Sequence, residues 1–178
     1  MNKYFKTILF LALPLAFLLG CSKQSSTTSS SSSTPETTEV KTSESSTTEK
    51  KSELKTATFV NDSQPGVVST LTYTVDGDNV VKQTAHNVAD PEVLNTTADA
   101  VKSVLEETYK GYKGLKGVTF SIEVKDGKVV QDLEIDLSVA SIDELRKALP
   151  EEYSGVGKNV SFKASKKMLT DLGYTEKN

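Results

Sequence analysis

Apolar and polar positions follow three different patterns along the chain. Residues 8–19 form an apolar run broken only by Pro14. Residues 22–49 show no periodicity: 19 of these 28 positions are Ser or Thr, and Val40 is the only aliphatic one. From about residue 56 the apolar positions recur at regular spacing, and the folded part is expected there. The polar stretch 22–55 cannot bury enough apolar surface to offset its ordering entropy. It reads as a tether, with an r.m.s. reach of about 30–35 Å and a full extension of about 110 Å.

Within the periodic part, residues 57–61 (ATFVN) predict a short strand. Residues 67–75 set Val67, Ser69, Leu71, Tyr73 and Val75 against Val68, Thr70, Thr72 and Thr74, the period of two of a half-buried strand. Asp76-Gly77-Asp78-Asn79 has hairpin-turn chemistry, because Gly and Asn accept positive φ. Residues 80–88 return as the partner strand. The adjacent Val80 and Val81 leave its buried face open. If Val80 points inward, strict alternation takes Lys82, Thr84, His86 and Val88 inward with it.

A helix is expected over about 97–110. Val101, Val104, Leu105, Thr108 and Tyr112 fall at helical spacing, with Thr96 as N-cap, Asp99 in the first turn and Gly111 as terminator. Next, Val118, Phe120, Ile122 and Val124 alternate with polar residues. Asp126-Gly127 fits a type I′ turn, which places Phe120 opposite Leu133 and Val118 opposite Ile135. Ser141-Ile142-Asp143-Glu144 is a capping box opening a short helix that Pro150 ends. Val160 and Phe162 suggest a short strand. Ser165 caps a final helix carrying Met168, Leu169 and Leu172, closed by Gly173. Hairpins interleaved with helices define an α+β fold: an antiparallel β-sheet with about three α-helices packed on one face, in a single domain over 56–178.

The first apolar run follows Lys3 and Lys6. It is too short for a spanning helix, which takes about 20 apolar residues, and suits the core of a secretory signal. Leu18-Leu19-Gly20-Cys21 comes directly after it and resembles a bacterial lipobox, with Leu19 where Ala or Ser is commoner. The resemblance implies that residues 1–20 are a signal peptide, cleaved before Cys21, and that the Cys21 sulfur carries a diacylglyceryl group. That sulfur is then a thioether with no nucleophilic or redox role. The competing reading is a buried Cys at the end of a short membrane helix. Each buried methylene contributes about 0.8 kcal/mol and stable anchoring takes about two chains, which one diacylglyceryl group supplies. Loss of Lys3 and Lys6 with the signal takes the net charge from −3 to −5. A long Ser/Thr tether over 21–55 resembles those of Gram-positive lipoproteins.

Composition narrows the chemistry. The chain has one His, one Cys and no Trp. A site built on two histidines, an intramolecular disulfide and a Cys-x-x-Cys centre are therefore excluded. The acidic balance disfavours nucleic acid, which rewards a basic face. No Gly-x-Ser-x-Gly, P-loop or His-Glu-x-x-His motif occurs.

Several residues remain as candidates. His86 acts as a base only with a nucleophile and an orienting partner, and no motif supplies either; a structural or surface His is the ordinary reading. Lys110, Gly111, Lys113, Gly114, Lys116 and Gly117 repeat Lys and Gly every three residues. Backbone N–H groups beside lysines can bind an anion, but phosphate loops usually precede a helix and this one follows it. The ordinary reading is a helix C-cap and a turn. Asp132, Glu134 and Asp136 share a strand face with Glu123 on the neighbouring strand. They would suit Ca²⁺ in a wrapping loop; on strands they are usually a solvated face. Asp76-Gly-Asp78 begins like an EF-hand loop but lacks its later ligands. Tyr109, Tyr112, Tyr153, Tyr174, Phe120 and Phe162 suit either a binding groove or a core.

Three stretches together carry a family resemblance: residues 71–84 (LTYTVDGDNVVKQT), 109–119 (YKGYKGLKGVT) and 166–176 (KKMLTDLGYTE). With the lipobox, they resemble the YehR-like bacterial lipoproteins, a family of unassigned biochemical function. The resemblance covers the folded domain and implies a small α+β envelope lipoprotein; it brings no catalytic residues. The expectation is a non-enzymatic binding or interaction domain, with no metal or cofactor. It is a monomer anchored by Cys21 to the extracytoplasmic face of a Gram-positive membrane. Its partner would be an envelope protein or cell-wall component. The alternative is a domain that binds a small or anionic molecule in a pocket between sheet and helices. An envelope hydrolase needs convergent titratable groups, for which the sequence gives no sign. Residues 13–20 (LPLAFLLG) also have the length and apolarity of a peptide pheromone, as do nearly all lipoprotein signals.

Overall fold

A computed structural model describes residues 53–177. The first apolar run, the lipobox residues Leu18, Leu19 and Gly20, Cys21 and most of the tether lie outside the described residues. Six strands form one antiparallel sheet: β1 (Lys55–Asn61), β2 (Val67–Asp76), β3 (Asn79–Ala89), β4 (Val118–Lys125), β5 (Lys128–Asp136) and β6 (Thr175–Lys177). Their order across the sheet is β4-β5-β3-β2-β1-β6. The α+β expectation holds.

The β4–β5 hairpin forms as its turn dictates. Asp126 and Gly127 both have positive φ, at 51° and 76°, and the register pairs Phe120 with Leu133 and Val118 with Ile135. Strand β2 buries Val67, Ser69, Leu71, Tyr73 and Val75, the set its alternation predicts.

Strand β3 settles the question left by Val80 and Val81. Val75 pairs with Val80 while Thr74 pairs with Lys82, so Val81 is the extra residue of a β-bulge. Val80 is buried, and the bulge reverses the alternation after it. Gln83, Ala85, Asn87 and Ala89 then face the core, and His86 faces solvent. Strict alternation, which would send His86 inward with Val80, is corrected by this one inserted residue.

The helices cover one face. Helix α1 (Ala98–Thr108) buries Val101 and Leu105. Its N-cap is Thr97, whose hydroxyl accepts from the Ala100 N–H at 3.2 Å. Thr96 is taken up by the preceding turn, donating its N–H to the Pro91 carbonyl at 2.9 Å. The helix ends at Tyr109 and runs into a 3₁₀ turn, Lys110–Tyr112. Gly111 therefore continues helical structure rather than ending it. A Cβ there would lie 2.6 Å from the Ala148 carbonyl oxygen, so its lack of a side chain is needed for close packing.

Helix α2 (Ile142–Ala148) opens on Ser141, as its capping box predicts. Pro150 does end it, and also stands at the first position of a further short helix, α3 (Pro150–Tyr153). Helix α4 (Phe162–Asp171) is capped by Ser161, not Ser165. The strand expected at Val160 and Phe162 shrinks to one bridge between Ser161 and Asn79. The reason is Asp78, whose carboxylate accepts from the Ser161 hydroxyl and the Lys163 N–H, both at 2.8 Å. Those bonds start the helix at residue 162. Gly173, at φ 87°, ends α4 and turns the chain into β6, which pairs with β1.

Candidate functional site

The sheet's inner face is built of rows, each holding one residue per strand. Most rows are apolar, as in Phe120–Leu133–Ala85–Leu71–Phe59. Two are interrupted by polar side chains. One row runs Gln131–Asn87–Ser69 across β5, β3 and β2, and Gln83 stands between Ile135 and Tyr73 in another. All four polar residues are buried.

The Ser69 row is a directed chain of hydrogen bonds. The Tyr174 hydroxyl donates to Ser69 Oγ at 2.8 Å. Ser69 Oγ donates to Asn87 Oδ1 at 2.5 Å, and Asn87 Nδ2 donates to Gln131 Oε1 at 3.3 Å. The chain ends on a donor, Gln131 Nε2, which finds no acceptor among the described residues. Gln83 is left with neither Nε2 nor Oε1 partnered there, although the residue is only 1% exposed. Buried side-chain amides nearly always have partners, so these atoms mark a place where the protein alone does not complete its own hydrogen bonding.

A carboxyl is buried on the helical side of the core. Glu152, on α3, is 6% exposed and accepts from the Tyr112 hydroxyl at 2.6 Å. Tyr112 and Tyr153 hydroxyls lie 3.2 Å apart. Burial pushes Glu152 up to about 7, against a smaller lowering by the Tyr112 bond. Burial also pushes the Tyr73, Tyr109, Tyr112 and Tyr153 hydroxyls above their ordinary range. The Arg146 guanidinium donates to the Asp143 carboxylate and to the backbone carbonyls of Tyr153 and Val156 rather than to Glu152. The interior thus offers amide and hydroxyl hydrogen bonds and one carboxyl, with no cation against it.

The residues singled out from the sequence fall elsewhere. His86 Nδ1 meets Asp132 Oδ1 at 2.7 Å on the open outer face. The pair is an orienting arrangement, about half exposed. Glu134 pairs with Lys82 and Glu123 with Lys125, while Asp136 accepts from the Ser138 N–H and hydroxyl. No group of three His, Cys, Asp or Glu placed to hold a metal ion occurs among the described residues.

The Lys110–Gly117 loop is a turn whose N–H groups at Lys113, Leu115 and Val118 bond loop carbonyls. Lys113 and Lys116 are exposed, and Lys110 pairs with Glu107. Gly114 and Gly117 have φ of 79° and 75°, and a Cβ on Gly117 would lie 2.7 Å from the Ala140 nitrogen. His86 is on the opposite side of the sheet from the polar interior, and the loop reaches that interior through Tyr112, whose hydroxyl bonds Glu152. The aromatics are core: Tyr109, Tyr112 and Phe120 pack with ring centroids 6.0–6.1 Å apart, and Phe59, Tyr73 and Phe162 at 6.1–6.3 Å. Sequence reading did not single out Ser69, Gln83, Asn87, Gln131 or Glu152 as a site. Ser69 was the one visible signal, a polar residue in the apolar register of β2.

Sheet, helical cover and polar interior define a small α+β domain with an incompletely hydrogen-bonded core. The chain belongs to the family described as "Protein of unknown function (DUF1307)", which matches residues 55–175. It is similar to Lin0239, an uncharacterized lipoprotein of Listeria innocua, with 39% identity over 116 residues, covering 64% of this chain and 76% of the relative. Lmo0207, an uncharacterized lipoprotein of Listeria monocytogenes, is 37% identical over the same shares. In fold, the chain is similar to the NMR structure of the Escherichia coli YehR protein. The TM-score is 0.56 at 19% identity, over 71% of this chain and 92% of YehR. The YehR-like resemblance read from the sequence agrees with the family, the relatives and the fold.

Proposed function

We propose that the chain is a lipid-anchored, non-enzymatic binding protein of the cell envelope whose folded domain takes a small ligand between sheet and helices. The anchor is Cys21, at the extracytoplasmic face, with residues 22–55 as the tether. Support for the anchor comes from the lysines, run length and lipobox at the N-terminus, and from relatives that are named lipoproteins. The observation that carries the ligand reading is the pair of buried, unpartnered amides at Gln83 and Gln131. An unsatisfied buried polar group costs about 1–3 kcal/mol, and a ligand that completes the bonds recovers that cost. The non-enzymatic reading is supported by the setting of His86, whose orienting partner sits on an open strand face.

Two experiments test this. Fractionation of cells carrying Cys21→Ala should move the protein out of the membrane fraction; unchanged retention overturns the anchor. Native mass spectrometry of the lipidated protein extracted from its own envelope should show a small-molecule adduct, and a bare mass under gentle conditions overturns the ligand reading.

A further inference from the structure

We infer that the interior strip from Gln83 to Gln131 is a binding site for a small uncharged molecule carrying both donors and acceptors, the chemistry shared by sugar hydroxyls and amides. This rests on the reading of the chain as a ligand-binding protein and names the class of ligand.

The donor inventory sets the class. Gln131 Oε1 already accepts from Asn87, and the atom of Gln131 without a partner is Nε2, a donor. Its complement is a hydroxyl or carbonyl oxygen. Gln83 offers one acceptor and one donor group side by side. Its complement is a vicinal pair of hydroxyls or an amide edge. A protonated amine supplies no acceptor for Gln131. An anion would enter a core with no cationic side chain among its buried residues, and an uncompensated charge there is costly. A neutral ligand meets every open valence without adding a charge.

Gln83 and Asn87 stand four residues apart on β3, about 13 Å along the strand, with Gln131 beside Asn87. Between them the inner face of β3 carries only Ala85, the smallest side chain of its row. The β-bulge at Val81 puts all three on this face. Without the bulge, Gln83 and Asn87 would point to solvent and the core would hold the Lys82, Thr84 and His86 side chains. The inserted residue thus selects amides and a methyl group for the interior. Uptake requires the helix layer to part from the sheet, because both amides are closed off from solvent.

The test is saturation-transfer NMR on the lipidated full chain in a polyoxyethylene detergent, which carries no sugar. Glucose, sucrose and acetamide are the neutral probes; glucosamine and glucuronate are the cationic and anionic controls. At least one neutral probe should show saturable transfer that Gln83→Leu or Gln131→Leu abolishes, with little transfer to either charged control. Transfer to acetamide alone assigns the amide source, and transfer to the sugars assigns the hydroxyl source. Where a Leu variant fails to fold, Gln83→Met keeps the side-chain volume while removing both polar atoms. The inference is overturned if no neutral probe shows saturable transfer, if the controls bind as well, or if the variants bind like the wild type. If an envelope-derived adduct persists in the Gln variants, the chain binds elsewhere and this site alone fails. If neither adduct nor probe binding is seen in the wild type, the ligand reading fails with it.

Discussion

Glu152 makes the stability of this domain depend on pH in the opposite direction from an ordinary surface carboxylate. Its folded-state value is about 7 against 4.5 for the free side chain, with burial as the main cause. Between those values the folded state holds a proton that the unfolded state has released. The free energy of unfolding therefore falls as pH rises from about 4.5 to about 7, and the full penalty persists above that. A shift of this size corresponds to about 3 kcal/mol, at about 1.4 kcal/mol per unit, a large share of a typical domain's stability. Glu152→Gln keeps the shape and an acceptor for the Tyr112 hydroxyl while removing the charge.

The assay is urea unfolding of wild type and variant at about pH 5 and about pH 8, compared through the difference between the two proteins. That difference cancels the other carboxylates. The variant should gain about 2–3 kcal/mol on the wild type between the two pH values. Tyr112→Phe, which removes the hydroxyl bonded to the carboxylate, should move the transition to higher pH. Parallel stability curves for wild type and Glu152→Gln across this range would refute the reasoning.

Three further outcomes follow from local geometry. Asp78→Ala should lower Tm and speed hydrogen exchange at the Lys163 amide, because it removes the two side-chain bonds from the β2–β3 turn to the start of α4 and leaves only backbone bonds there. The two side-chain bonds also hold the Asp78 carboxyl below its ordinary range, so this contribution is present above that range and lost as pH falls through the depressed folded value; an exchange rate independent of Asp78 would sink it. Gly117→Ala should destabilise by about 2 kcal/mol or more, from strain plus collision, whereas Gly114→Ala, at similar φ with open space around it, should cost only about 1 kcal/mol. Equal losses in denaturant unfolding would contradict that contrast. Thr97→Ala should cost about 1 kcal/mol of cap energy and Thr96→Ala clearly less; the reverse order in thermal melts would restore Thr96 as the cap.

What the sequence discloses here depends on how far away the deciding atom lies. The β4–β5 hairpin is readable because its turn and its alternation are both local: Asp126-Gly127 fixes the register and Phe120 finds Leu133. The start of α4 is not local. Ser161 and Ser165 look alike in sequence, and the choice is made by the Asp78 carboxylate, 83 residues away in the chain. Strand β6 has three exposed residues and no period of its own, so its pairing with Thr58, Phe59 and Val60 of β1 defines it. The candidate site is hidden for a related reason. Gln83 and Asn87 have the polarity of solvent-facing positions, and period-two reading from Val80 places them there. One bulge residue, foreshadowed only by the doubled valine at 80 and 81, reverses that assignment. It brings into the core the polar groups that a stability-optimised strand would leave outside. Local rules broken at a cost, with no structural return within the fold, are what a functional site produces. The amides of Gln83 and Gln131 break them in the same layer.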